Sequence, residues 1–307
     1  MSGAYTHIAV ANKARQLSDN ADLRPETQLA LGRYLRYVEL GAVSPDYPYL
    51  CLKPKQAKWA DEMHYTSTAA FIRTAVQEVG QLSGLRRQKL MAWLFGFASH
   101  IATDMTIHPV VELKVGPYSN NKTGHRICEM NQDAYLFPKV MNLGETAYSE
   151  HMKTGIGACC DRADPDKLDP DVAGLWTVVL HQTHPNLATR HPADPDAWHE
   201  GFTSILSAMA TASRLIPFAR HVVRDAGLMY PLEKDVDPQY VRNLQTPLGQ
   251  QDFDAIFERA CRSVVQMWEG LDKELAQPDA SAFDQLEDWN LDTGRSLKSN
   301  QLVFWGA

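Results

Sequence analysis

The stretch His100-Ile-Ala-Thr-Asp104-Met-Thr-Ile-His108 sets three ionisable side chains four residues apart inside an apolar run. On an α-helix each four-residue step turns a side chain by only ~40°, so all three face roughly one way. Ionisable groups facing a core cost several kcal/mol unless a partner offsets them. A divalent cation is such a partner, because imidazole and carboxylate are good zinc ligands. His125-Arg-Ile-Cys-Glu129 repeats the spacing and offers a second imidazole–carboxylate pair. Two facing helices would then supply five ligands, which is how helical bundles build carboxylate–histidine metal sites.

Three more residues can join them. Asp46 follows Pro45 on a stiff turn, His64 lies in Trp59-Ala-Asp-Glu-Met-His64-Tyr65, and His7 precedes the short apolar run Ile8-Ala-Val-Ala11. Taken singly, each has an ordinary reading: a hydrogen-bonded core histidine, a solvated pair, a turn aspartate. Taken together they do not, because the helix carrying His100, Asp104 and His108 is too apolar to be a solvated face.

The elements that must position these residues read as helices. Pro25 to Gly41 opens with Pro-Glu and closes with Gly, as a helix should. Further helices are expected over 67–82 and from about Arg86 until Pro109 stops the chain. The second of these is apolar nearly all round through Met91 to Ile101, which places it at the centre of a bundle. The Gly-, Pro-, Ser- and Asn-rich segment 114–124 is a loop long enough to fold the next helix, 125–140, back beside it. Helices follow at about 171–183, 197–213 and 251–275, and strand signals are weak throughout. The expected class is all-α, a helical bundle with a multi-zinc site among the central helices. The histidines His181, His184, His191 and His199 share no clean helical face and read as surface or loop residues.

Composition narrows the function. The net charge of −7 over 307 residues repels polyanions and weighs against nucleic acid as the main partner. Five cysteines, two of them adjacent, make a poor disulfide framework and read as reduced thiols. Met1 to Ala11 lacks the basic and apolar regions of a secretory signal, and no stretch approaches the ~18 to 20 apolar residues of a membrane span. Synthesis in the cytoplasm is therefore expected, with any export by a signal-independent route.

As an ordered set, Thr6-His7, Gly41…Pro45-Asp46-Tyr47, Asp61…His64, Phe97…His100…Asp104…His108 and His125…Glu129 resemble the zinc-dependent phospholipase C family. That family includes the catalytic domain of glycosylphosphatidylinositol-specific phospholipase D. The single-strand-specific zinc nucleases are more distant relatives. The likeness covers about the first 130 residues, and the remaining ~170 carry no matching motif. It implies three zinc ions: one held by Asp46, His64, His100 and Asp104, and a second by His108, His125 and Glu129. The third would be held by His7, a bridging Asp104 and the chain's terminal amine. Here Ser2 would supply that amine once Met1 is removed.

The resemblance also implies hydrolysis of a phosphodiester, such as that of phosphatidylcholine, by a metal-activated water, with Asp46 as its base or orienter and Tyr47 lining the head-group pocket. The +6 of three zinc ions exceeds the −3 of Asp46, Asp104 and Glu129, so the pocket would attract an anion within an acidic protein. The short step from Asp104 to His108 is similar to the phospholipase D relative, so the head group stays open. A lipid substrate brings transient contact with a membrane surface, for which Tyr49, Leu50, Leu52 and Leu302-Val-Phe-Trp305 are the apolar candidates, though core is their plainer reading. We expect one α-helical domain over 1–307, with the metal-binding part at 1–140 and helices without a recognised motif at 141–307. Two other readings of the same residues are a zinc nuclease or nucleotidase acting on single-stranded nucleic acid, and a non-catalytic, zinc-stabilised effector module.

Overall fold

In the computed structural model, residues 3–142, 148–211, 231, 233–277 and 286–306 are described. The chain is an all-α bundle built around one long helix, α6 (Gly84–Val115). Every residue of α6 from Leu90 to Val111 is buried, as its all-round apolar sequence predicts. Around it pack α1 (Ala4–Leu17), α2 (Pro25–Arg33), α3 (Leu35–Val43), α5 (Thr68–Gly80), α7 (Lys122–Met141), α9 (Pro170–Thr183) and α12 (Phe253–Ala276). The short helix α4 (Ala57–Tyr65) and a 3-10 segment, Ser44–Leu50, complete the site side. Helices α8 (Tyr148–Thr154), α10 (Pro185–Arg190) and α11 (Pro195–Thr211) lie outside this frame.

Several boundaries differ from the sequence expectation, each for a physical reason. The helix over 25–41 is two helices, because Tyr34 leaves helical geometry (φ −115°, ψ 35°) and α3 sets off anew. Gly41 does not end it. A Cβ there would sit 2.1 Å from the carbonyl oxygen of Trp93, and one on Gly96 would sit 2.1 Å from that of Val38. The two glycines let the backbones of α3 and α6 touch, a close approach that only the missing Cβ permits. Nor does Pro109 stop α6, which runs on to Val115. A helical proline leaves the carbonyl four residues back without its donor. Here that carbonyl is Met105 O, against which Gly294 packs together with Pro109, while the Trp305 indole donates to the next carbonyl, Thr106 O, at 2.8 Å.

The sequence reading missed α1, whose four-residue apolar run gave no period to read, and two short antiparallel pairs. Leu244–Thr246 (β1) pairs with Gly249–Gln251 (β2), and Trp289–Asn290 (β3) with Arg295–Ser296 (β4). Their turns use glycine at positive φ, 95° at Gly249 and 67° at Gly294. The stretch after residue 140 is therefore not only a helical annex, since β3–β4 returns to the face of α6 that carries the site.

Candidate metal centre

The close crossing of α3 and α6 sets the stage. It brings Ala42 O within 2.8 Å of His100 Nδ1, which donates to it. One residue past α3, the 3-10 segment begins, pinned by the Trp93 indole donating to Ser44 Oγ (2.9 Å) and Ser44 Oγ donating to Leu40 O (2.8 Å). Pro45 and Pro48 stiffen that segment, and it carries Asp46 inward. Helix α4 supplies His64, whose Nδ1 donates to Ala60 O at 2.7 Å. Helix α1 supplies His7 from its first turns. Gly3, the residue before it, has no capping side chain. Asp133 of α7 takes over that duty and accepts from Thr6 N at 2.7 Å. The carboxylate lies so close that a Cβ on Gly3 would fall 1.9 Å from its Oδ2.

Asp104 is the hub. Its Oδ1 lies 3.2 Å from His7 Nε2 and 3.1 Å from His108 Nε2, while its Oδ2 lies 3.1 Å from His100 Nε2 and 3.8 Å from His64 Nε2. Asp46 Oδ1 stands 3.4 Å from His64 Nε2. The His7 and His100 rings stack at 4.0 Å with planes 6° apart. Two tight groups result, His7–His100–Asp104 and Asp46–His64–His100, with His100 common to both. His125 and Glu129 pair on α7 at 4.0 Å and stand outside these groups. All eight side chains are between 0 and 3% exposed. Ser2 lies outside the described residues.

The outer hydrogen bonds fix which ring nitrogen faces inward. Backbone carbonyls only accept, so Nδ1 of His64, His100 and His108 carries a proton, given to Ala60 O, Ala42 O and Leu291 O (2.7 Å). In His125 it is Nε2 that donates, to Gly116 O at 2.6 Å. The inward nitrogens then hold lone pairs. His64 Nε2 and His100 Nε2 face each other at 3.2 Å, which two lone pairs tolerate only with a proton or a cation between them. Both nitrogens of His7, both oxygens of Asp46, His108 Nε2 and His125 Nδ1 are buried without a hydrogen-bond partner. Donor spacings of 3.1 to 3.8 Å match the edge of a zinc tetrahedron, about 3.3 Å for bonds of ~2.0 Å. On donor type, spacing and orphaned atoms, these residues fit zinc.

Charge states agree with that fit. Burial would raise Asp104, but the facing imidazoles of His108, His100 and His7 outweigh it and hold the carboxyl well below the usual range. Burial would raise Asp46 too, but the nearby imidazoles of His64 and His100 outweigh it and hold the carboxyl low. Burial lowers His108, and it takes His7 and His125 to about 4, with His100 adding to the effect on His7. Those imidazoles are therefore neutral and the two carboxylates ionised at neutral pH, as metal ligation requires. His100 alone goes the other way: burial pulls it down, but Asp104 and Asp46 outweigh that and raise it.

Other expected residues fall elsewhere. The Tyr47 ring is fully buried against Phe202, Trp176 and His199, with its hydroxyl 3.4 Å from His199 Nδ1. His199 is thus a core residue of α11, not a surface or loop one, because the aromatic cluster gives its imidazole an apolar seat. Tyr49, Leu50 and Trp305 are core as well, whereas Leu52 is 84% exposed. Sequence reasoning missed Gly96, Asp133 and Leu291, none of which bears a metal-ligating side chain in a readable motif.

A family model described as zinc dependent phospholipase C matches residues 6–186, more than half of the chain. The match extends past Glu129 by 57 residues, further than the motifs alone reach. No curated protein and no solved structure gives a match. With all eight ligand-type positions inside the matched stretch and the imidazoles of His7, His64, His100 and His108 converging on Asp104, the chain belongs to the zinc-dependent phospholipase C family.

Proposed function

We propose that the protein hydrolyses the phosphodiester bond of a glycerophospholipid such as phosphatidylcholine, with three zinc ions as cofactors. The observation that carries this reading is the facing pair of imidazole nitrogens at 3.2 Å, beside the two oxygens of Asp104. Asp46, His64, His100 and Asp104 would hold one zinc, His108, His125 and Glu129 a second, and His7 with Asp104 a third. Zinc bound there would polarise phosphoryl oxygens and supply a water acidic enough to attack at neutral pH. Asp46, ionised and with both oxygens free of hydrogen bonds, is the residue that would orient that water or take its proton. The surrounding helices would exclude bulk water and so strengthen each electrostatic contact.

Support for a lipid rather than a soluble diester comes from the turn after the 3-10 segment. Leu52 projects there, followed by Lys53, Lys55 and Lys58. Lys53 is paired with Asp194 at 2.8 Å. Lys55, Lys58 and Arg190 act together on His191, which burial and then these three cations lower. An exposed leucine followed along the chain by three lysines suits a bilayer surface bearing anionic lipid, where each unpaired lysine contributes ~1 kcal/mol. Among the described residues no helix is long and apolar enough to cross a membrane.

The test is one panel: zinc content, then turnover of phosphatidylcholine vesicles, a chromogenic phosphodiester and single-stranded DNA, each with and without chelator. Chelator-sensitive lipid turnover is expected. Turnover of DNA alone would replace the lipid assignment with a nuclease, and full zinc without turnover would leave an effector module.

A further inference from the structure

The β3–β4 turn lies about a hundred residues beyond the stretch that matches the family, yet it touches the metal centre twice through one residue. Leu291 N–H donates to His64 O at 3.0 Å, and Leu291 O accepts from His108 Nδ1 at 2.7 Å. His64 sits on α4 and His108 on α6, so a single buried residue ties together two helices that present imidazoles to the same space. The next residue adds charge: Asp292 Oδ1 stands 3.8 Å from His108 Nδ1, and Asp292 Oδ2 accepts from Tyr65 Oη at 2.8 Å. Tyr65 adjoins His64, so each partner of Asp292 leads back to an imidazole of the site.

The turn is rigidly built. Asn290 Oδ1 accepts from Asp292 N (3.0 Å) and Thr293 N (3.2 Å), which closes an Asx turn. Trp289 N donates to Thr68 Oγ1 at 2.7 Å. Gly294 packs on Pro109 of α6, where a Cβ would meet the proline ring at 2.4 Å.

We propose that the Leu291–Asp292 turn is a positioning element of the metal centre. On this reading it fixes the tautomer and ring plane of His108 and the distance between His108 and His64. The inference rests on the zinc reading above. A carbonyl that accepts from Nδ1 leaves Nε2 as the ligating lone pair, and a carboxylate behind the ring makes that lone pair more basic. Removing such outer partners typically lowers metal affinity by about 10 to 100-fold.

The experiment uses the full chain and two variants, Asp292→Asn and Asn290→Ala. In zinc-free protein with 15N-labelled histidine, the ring nitrogens of His108 are expected to show a proton on Nδ1 and none on Nε2. With zinc added against a competing chelator, both variants are expected to bind at least one zinc about tenfold more weakly. The Co²⁺-loaded variants are expected to shift in visible absorption, while the melting temperature of zinc-free Asp292→Asn stays near wild type. Zinc affinity and Co²⁺ spectrum both unchanged in folded variants would overturn the proposal, as would a proton on His108 Nε2 in the wild type. A lowered melting temperature with unchanged affinity would also overturn it, since that is all a merely structural turn would give. If wild-type protein takes up no zinc, the zinc reading falls, and the metal-free ring-nitrogen measurement still decides whether the turn holds His108.

Discussion

Adding one methyl group at Gly96 should disable a metal centre whose first donor lies four residues away. A Cβ at this position would sit 2.1 Å from Val38 O, 2.8 Å from Val38 C and 2.9 Å from Gly41 Cα, all backbone atoms that no rotamer change can move. An acceptable carbon–oxygen contact is about 3.3 Å. Helices α3 and α6 must therefore part by about 1.2 Å. The bond from His100 Nδ1 to Ala42 O, 2.8 Å long, crosses the same gap and would stretch to as much as about 4 Å. His100 would lose its orienting partner, and Asp46, three residues past α3, would shift with it. Overpacking costs typically 1–3 kcal/mol, partly offset by the ~1 kcal/mol that alanine gains over glycine in a helix.

Gly96→Ala should thus fold, melt a few degrees lower, and bind zinc at least tenfold more weakly in a competition titration with a chromophoric chelator. Gly174→Ala in α9 is the control, because a Cβ there meets nothing within 4 Å. It should keep full zinc affinity and match or slightly exceed wild-type stability. If Gly96→Ala keeps wild-type zinc affinity, the glycine crossing does not set the site.

Three other outcomes are expected. His100 belongs to both tight groups, so His100→Ala should lose more zinc per chain by elemental analysis than either His7→Ala or Asp46→Ala; equal losses in all three would refute the shared role. A Leu52→Ser, Lys55→Ser, Lys58→Ser triple variant should pellet less with anionic vesicles and keep activity on a soluble diester; unchanged pelleting would remove the tip from the lipid argument. His151 donates to buried Glu39 at 3.1 Å, and this bond with the nearby charge raises the imidazole above its ordinary 6.5. Its contribution to stability is then complete below pH 6.5 and lost as pH rises through the raised value. Wild-type melting temperature should therefore fall relative to His151→Gln as pH rises above 6.5; parallel profiles would exclude the pair as the cause.

The sequence made the candidate donors legible because ligation needs particular side chains, and on a helix their spacing survives as a repeat of four. His100, Asp104 and His108 meet at one point in the structure as that repeat requires. The class was legible too, from an apolar stretch too continuous for any surface helix. What escaped was whatever works through backbone or through absence. Gly96 acts by lacking a side chain, Leu291 by its peptide, and Asp133 by capping a helix 127 residues earlier in the chain. Pro109 misled for a related reason: its penalty is local, while the groups packed around it at Gly294 and Trp305 come from residues far along the sequence.

The bond between His108 and Leu291 spans 183 residues, and that between Thr6 and Asp133 spans 127. Contacts of such range close late, after local helices have formed, because the entropy of the intervening loops must be overcome first. A half-folded chain therefore offers the His100–Asp104–His108 row of α6 without the donors from α1 and α4 that would complete a cage. Selection among competing ions, by cavity shape and ligand geometry, would then fall to the finished fold.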